Sequence, residues 1–407
     1  LRLCVFPNDP IIAYYKKGEI KERYYNPCNI FDELYIISFT EEEEVEASKV
    51  QTIAGTAKLT IQTVGKIGLK DRKKHVDRIK AIIRDIRPDI IKRVICSYDV
   101  WPDIPYYHVD RIKAIIRDIR PDIIRAYNPL VEGWYASVCA EELKIPLFVS
   151  LHIQYDNLRK TFAKTNFKRY LGLKYSEKFI EPHVLKNADK ITVVYKIIVP
   201  YVLRHGGKTP EVLYNRIDYG KYINAKPIDG LPSQLVISVG RLTSQKNHQC
   251  LIESMKEING HLLIIGDGEL YDNLTNQIQK NGLSEKITIK KSVSNNEIPR
   301  YYKAAQVFAL AYDPEIEGLP IPVIEAMASG LPLVIPYPKK EYSDGLEGTA
   351  IFSERNPPSF AKSIASVLSD PNMQKQFSLK SMSKAKEFDK EIVERREADI
   401  YLELLKK

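Results

Sequence analysis

Apolar runs of four to seven residues recur from one end of this 407-residue chain to the other, separated by amphipathic segments. In the first half they are Leu3–Phe6, Leu34–Ser38, Ile145–Leu151 and Lys190–Val194. In the second half they are LVISVG at 235–240, HLLIIG at 261–266, KITIKK at 286–291, VFALA at 307–311 and LPLVIP at 331–336. Between such runs, Val76, Ile79, Ile82, Ile83 and Ile86 repeat with the period of a helix. Short apolar strands alternating with helices build parallel sheets covered on both faces. The expected fold class is therefore α/β, with two doubly wound, Rossmann-like domains. Their limits are predicted at 1–213 and 214–387, with the polar stretch Asp218–Gln234 as linker. Residues 388–407 read as a charged amphipathic helix with no strand after it.

Composition narrows the class. A hydrophobic fraction of 44% with 28% charged residues is that of a globular protein. No stretch approaches the roughly 18 uninterrupted apolar residues of a membrane span, and LRLCVFPND lacks a signal-peptide pattern. Cys4, Cys28, Cys96, Cys139 and Cys250 are odd in number and scattered, which predicts reduced thiols in a cytoplasmic protein. The formal charge of +9 is unevenly placed. Residues 214–407 are balanced, while Arg159–Lys208 carries 12 basic and 3 acidic residues, a surplus equal to that of the whole chain.

The segment HVDRIKAIIRDIRPDII occurs at 75–91 and again, letter for letter, at 108–124. Two identical copies are too few and too alike for a solenoid. Each encodes a helix followed by a Pro-initiated strand, and the second runs on into AYNPLVEGW, so the strand at 122–127 is expected in the sheet. One 33-residue unit, about 92–124 or its equivalent, reads as an insertion.

Three segments of the second half bear on chemistry. PEIEGLPIPVIEAMASG at 314–330 sets Glu317 and Glu325 seven residues apart around a helix start, with Pro320 and Pro322 expected in its first turn and Gly330 as its stop. Free N–H groups at such a start attract phosphate. A bare E-x7-E pair is, by itself, most simply two solvated glutamates. VGRLTSQKNH at 239–248 places Arg241 after a strand and Lys246 in what reads as the first turn of a helix. Two cations at the carboxyl edge of a parallel strand suit a diphosphate. IIGDGEL at 264–270 carries Gly266 and Gly268, which allow close approach of a ligand or simply a tight turn.

In this order and spacing the three segments resemble the retaining glycosyltransferases of family 4, also called glycosyl transferases group 1, which have the two-domain GT-B architecture. The resemblance is specific over roughly 235–335. It implies a nucleotide-sugar donor in the C-terminal domain, with Arg241 and Lys246 at the diphosphate, Glu325 on the ribose hydroxyls and Glu317 facing the transferred sugar. Backbone around Gly318, Leu319 and Ile321 would lie near sugar and phosphate, and the turn at Val293 beside the base. Pro320 stands where the family often has Gly, which removes one N–H donor. The family's glycine-rich loop after the first strand is missing too, since FPNDPIIAYYKKGE offers only Gly18 on the acceptor side. His152, just past IPLFVSL, matches a histidine that the family commonly places near the reacting sugar; His205 and His248 read as structural. The final helix would cross back to the N-terminal domain.

The stretch at 159–179 interleaves Arg159, Lys160, Lys164, Lys168 and Arg169 with Phe162, Phe167, Tyr170 and Tyr175. This pattern suits either an ordinary amphipathic helix or an anionic membrane surface, and lipid-linked acceptors among the resembling enzymes favour the membrane. Nucleic acid is not expected, for want of a binding motif. No D-x-D carboxylate pair presents a metal site. The function expected is thus a retaining, metal-independent glycosyltransferase, with no cofactor beyond its nucleotide-sugar co-substrate, acting in the cytoplasm or peripherally on the inner face of the membrane. Its acceptor would be a glycan or lipid-linked hydroxyl. A sugar-nucleotide epimerase or phosphorylase of the same architecture, or a non-catalytic sugar-nucleotide-binding protein, are the alternative readings.

Overall fold

The computed structural model describes residues 1–16, 18, 20–39, 45–64 and 106–406. The chain divides into two compact units. The first is Leu1–Val194 with Ile198–Leu213 and Glu394–Lys407, and the second is Tyr195–Ile197 with Tyr214–Val393.

Among the described residues of the first unit seven strands form one parallel sheet: β1 (Arg2–Phe6), β2 (Glu33–Ser38), β3 (Lys58–Thr63), β4 (Ile123–Ala126), β5 (Leu147–Leu151), β6 (Lys190–Val193) and β7 (Glu211–Val212). Their order is β3-β2-β1-β4-β5-β6-β7. Leu3, Cys4, Val5 and Phe6 are all fully buried, as a strand covered on both faces requires. The second unit holds six parallel strands: β8 (Leu235–Val239), β9 (His261–Ile265), β10 (Ile287–Lys290), β11 (Val307–Ala309), β12 (Leu333–Pro336) and β13 (Ala350–Ser353). Their order is β10-β9-β8-β11-β12-β13. These are two doubly wound, Rossmann-like sheets, with every apolar run of the sequence occupying a strand.

Four strands carry no such run: β4, expected from the repeated segment, and β3, β7 and β13, which all lie at a sheet edge. β3 is KLTIQT, in which Leu59 is the one buried residue, while β7 is two residues long. An edge strand is flanked on one side only, so it tolerates polar positions that hide it from a search for apolar runs.

The second copy of the repeated segment forms the helix Tyr106–Ile119 and then β4, between β1 and β5. The first copy and the linking residues up to 105 lie outside the described residues, and with them Cys96. The final helix spans Lys390–Leu405 behind a 3-10 turn at Lys386–Phe388. Its first turn pairs with Ile217 of the second unit, where the Lys390 N–H donates to the Ile217 carbonyl at 2.7 Å. From Glu394 onward it belongs to the first unit, where Tyr401 sits edge-on to Phe31 and Phe148 at 5.0 and 5.2 Å.

Candidate functional site

The strand order of the second sheet reverses between β8 and β11, and open parallel sheets bind ligands beyond the carboxyl ends of such a pair. The loop after β8 is pinned to the loop after β9. The Gly240 N–H donates to the Ile265 carbonyl at 3.0 Å, and the Leu242 N–H to that of Asp267 at 2.9 Å. A Cβ at Gly266 would lie 1.9 Å from the Gly240 carbonyl oxygen, and one at Gly268 would lie 2.6 Å from that of Leu242. Both glycines therefore serve this backbone-on-backbone approach, which fixes where Arg241 and the following turn emerge.

Lys246 stands before the helix His248–Ser254 and not in its first turn. Its N–H closes a turn onto the Thr243 carbonyl, and Asn247 follows in the left-handed region at φ 50°, a conformation asparagine tolerates. The turn carries the Lys246 side chain inward. Lys246 is 7% exposed, and its Nζ lies 2.6 Å from Glu317 Oε2. Arg241 is exposed at the rim. His248 is buried, and burial first, then the Lys246 charge, pull its pKa down to about 3. His205 is buried as well, with Nδ1 2.8 Å from the Tyr201 carbonyl.

The loop after β11 delivers Glu317. The Asp313 carbonyl accepts the N–H groups of Ile316 and Glu317 at 3.1 and 3.0 Å, and the Tyr312 hydroxyl donates to the Gly318 carbonyl at 3.0 Å. Pro320 is extended (φ −62°, ψ 144°) and caps the helix Ile321–Ala328 from outside, so Pro322 is the proline inside its first turn. Among the described residues the N–H groups of Gly318, Leu319 and Ile321 find no protein acceptor. Gly330, at φ 80°, ends the helix. Glu325 lies within it and is gripped from two sides: Tyr222 donates to Oε1 at 2.6 Å and Tyr302 to Oε2 at 3.0 Å. Burial, then the Glu325 charge, raise both phenols well above their ordinary value. No sequence signal joins these tyrosines to Glu325, because they come from two other helices. Val293 is half-buried in the turn after β10.

In the first unit His152 follows β5, and its ring stacks on Tyr127 at 5.5 Å. Tyr127 follows β4, whose Arg125 is 2% exposed. The Arg125 guanidinium donates to the Tyr401 hydroxyl at 2.9 Å and to Ser150 Oγ at 2.7 Å, pairs with Glu397 at 2.9 Å, and lies over the Phe148 ring at 3.7 Å. Burial and, secondarily, this cation lower the His152 pKa to about 4, so the imidazole is neutral at pH 7. Its Nε2 is buried with no partner among the described residues. Gly18 is exposed in a turn at φ 66° after the helix Ile11–Lys16.

The basic stretch is broken at Asn166, where the helix Tyr155–Thr165 ends and Phe167–Tyr175 begins. Arg159 is not on its outer face. It is 4% exposed and pairs with Glu181 at 2.9 Å, Asp156 at 3.1 Å and Glu177 at 3.6 Å, so its charge is spent inside the fold. Lys160, Lys164 and Arg169 are exposed, the last lying over Phe162 at 4.2 Å, and Lys168 falls in the second helix. Phe167 and Phe179 are 65% and 49% exposed. Among the described residues no helix is long and apolar enough to cross a membrane.

Comparison with known proteins bears on both units. Residues 225–383 match the family described as Glycosyl transferases group 1. The alpha-monoglucosyldiacylglycerol synthase of Streptococcus pneumoniae is 25% identical over 53% of this chain and 53% of its own length. A Campylobacter jejuni enzyme is 30% identical over 45% of this chain and 51% of its own length; it is named N-acetylgalactosamine-N,N'-diacetylbacillosaminyl-diphospho-undecaprenol 4-alpha-N-acetylgalactosaminyltransferase. The matched regions thus span about half the length of these curated relatives. A crystal structure of Anabaena HepE in complex with UDP and glucose superposes with a TM-score of 0.62 at 13% identity, covering 98% of this chain and 99% of that one, which is a likeness of fold.

Proposed function

We infer that this chain, whose residues 225–383 match the glycosyl transferases group 1 and whose fold is like that of GT-B structures, is a retaining glycosyltransferase that moves a sugar from a nucleoside-diphosphate sugar to an acceptor hydroxyl. The observation that carries this reading is the Lys246–Glu317 pair, held at the β8/β11 reversal, with Arg241 exposed in the same loop as Lys246.

The chemistry follows from the placement of charge. Arg241 at the rim and the nearly buried Lys246 meet the diphosphate, whose charge grows as the sugar–phosphate bond breaks. The Ile321 N–H, at the start of a helix, points charge of the same sign at it, while those of Gly318 and Leu319 lie beside the sugar. Glu317 stands between Lys246 and the transferred sugar. Glu325, its carboxylate oriented by Tyr222 and Tyr302, accepts from the ribose hydroxyls. The acceptor hydroxyl attacks on the face the diphosphate leaves, and its proton passes to the departing phosphate. Neutral His152 positions the sugar and carries no charge of its own.

The acceptor is a lipid-linked or membrane-surface glycan on this reading. Two relatives are named for lipid substrates, and this chain sets Phe167 and Phe179 among exposed Lys160, Lys164, Arg169 and Lys178. Apolar rings among lysines suit an anionic bilayer surface.

A thermal-shift panel with UDP, GDP and ADP sugars tests the donor site, since a ligand of the folded state raises its melting temperature. The winning donor, incubated with and without a glycolipid acceptor, should give glycosylated product only with the acceptor. Epimerised donor from the donor-only reaction would replace transfer with another activity. For the membrane, Lys160→Glu with Lys164→Glu should weaken binding to anionic vesicles, at about 1 kcal/mol per lost lysine. Unchanged vesicle binding would remove the membrane from the reading.

A further inference from the structure

A carboxylate outside the motifs lies directly behind the Glu317 loop. Asp344 follows β12 and is 3% exposed. It takes the left-handed conformation at φ 54°, as does Gly345 after it at φ 75°. Its Oδ1 accepts from the Lys196 N–H at 3.2 Å and from the Tyr214 hydroxyl at 3.0 Å. Its Oδ2 is buried and has no partner among the described residues. That oxygen abuts Gly318, since a Cβ there would stand 3.0 Å from it and 2.7 Å from Tyr195 Cβ. Burial raises the Asp344 carboxyl above its usual range, while the Lys196 N–H and the Tyr214 hydroxyl draw it back.

We propose that Asp344 is a positioning residue for the Glu317–Leu319 turn, and through it for the transferred sugar as distinct from the nucleoside diphosphate. Tyr214 and the Lys196 backbone hold the carboxylate in place, and the carboxylate with Tyr195 forms the wall against which Gly318 lies. Tyr312 holds the Gly318 carbonyl. The turn is thus clamped, and Glu317 reaches Lys246 from a fixed origin. Removing the wall lets the turn sink toward Asp344, which withdraws Glu317 and the Gly318 and Leu319 N–H groups from the sugar. Glu325 keeps its tyrosine partners, Arg241 leaves from another loop, and the Lys246 backbone is held by its own turn onto Thr243. This inference rests on the donor-site reading above.

The test compares binding of a nucleotide sugar with binding of its nucleoside diphosphate by titration calorimetry, using UDP-glucose and UDP, or the GDP or ADP pair if the panel selects one of those. Asp344→Ala should bind the nucleotide sugar about tenfold more weakly, a displacement-sized effect, with the diphosphate held within about twofold. Tyr214→Phe removes a single hydroxyl and should show a smaller split of the same sign, and it carries the test if Asp344→Ala does not fold. Equal loss for both ligands, or no loss for either, in the variant that folds would overturn the proposal. Lys246→Ala serves as the separate control and should weaken both ligands. If it weakens neither, the donor-site reading itself fails, an outcome distinct from a missing split at Asp344.

Discussion

Both sheets reverse between their first and fourth strands, β1/β4 in the first unit and β8/β11 in the second. In the second unit the ionisable groups stand in the loops beyond those strands: Arg241 is exposed, and Lys246 shares its charge with a glutamate that is itself partly open. In the first unit the charge sits inside β4. Arg125 is turned inward and divided among Tyr401, Ser150, Glu397 and the face of Phe148, and His152 beyond β5 is kept neutral. One scaffold thus presents charge at one reversal and consumes it at the other. A polyanionic donor belongs with the first arrangement, and an uncharged hydroxyl acceptor is compatible with the second.

The largest expected effect breaks the comparison on the charged side. Lys246→Ala should cut transfer on the order of 100- to 1000-fold, the scale of losing one preorganised group at a developing charge, while the melting temperature is kept. Wild-type initial rates at saturating donor would show that the buried ammonium is structural. On the other side, Arg125→Met leaves Glu397 buried without its cation and should destabilise the first unit by about 3–5 kcal/mol. Both tryptophans, Trp101 and Trp134, belong to that unit's sequence, so their fluorescence during urea denaturation reports on it. An unchanged midpoint would mean that the Arg125 cluster carries no net stability.

The smallest effect sharpens what the units share. His152 and His248 have pKa values of about 4 and about 3, below the ordinary value near 6.5. The unfolded chain therefore binds protons in this window that the native one refuses. Stability is at its full value above about pH 6.5 and is lost as the pH falls toward 4. Melting temperature should drop over that interval, and the drop should be shallower in His152→Gln. A flat profile would mean that both rings are wetter than their burial implies.

The comparison also explains what could be read from the letters. The candidate donor residues fall in contiguous segments: Arg241 and Lys246 follow β8 directly, and Glu317 stands just before the helix that holds Glu325. Tyr222, Tyr302 and Asp344 cannot be read this way, since each reaches its partner from another element and nothing in its own neighbourhood distinguishes it. Arg159 reads as outward-facing from its basic neighbours, although Asp156 three residues earlier offers it a helical partner. The expected first turn takes in Lys246, but the helix begins only at His248, behind Asn247 in the left-handed region.

The bond between Arg125 and Tyr401 joins residues 276 positions apart. A ribosome that has finished every strand of the first sheet has therefore not yet made the residues that neutralise its central arginine. At about 5–20 residues per second, the nascent sheet waits on the order of tens of seconds with the arginine of its fourth strand lacking a carboxylate. The unit synthesised first can settle only after the one synthesised second has emerged, and any chain stopped short of Glu397 leaves it unfinished.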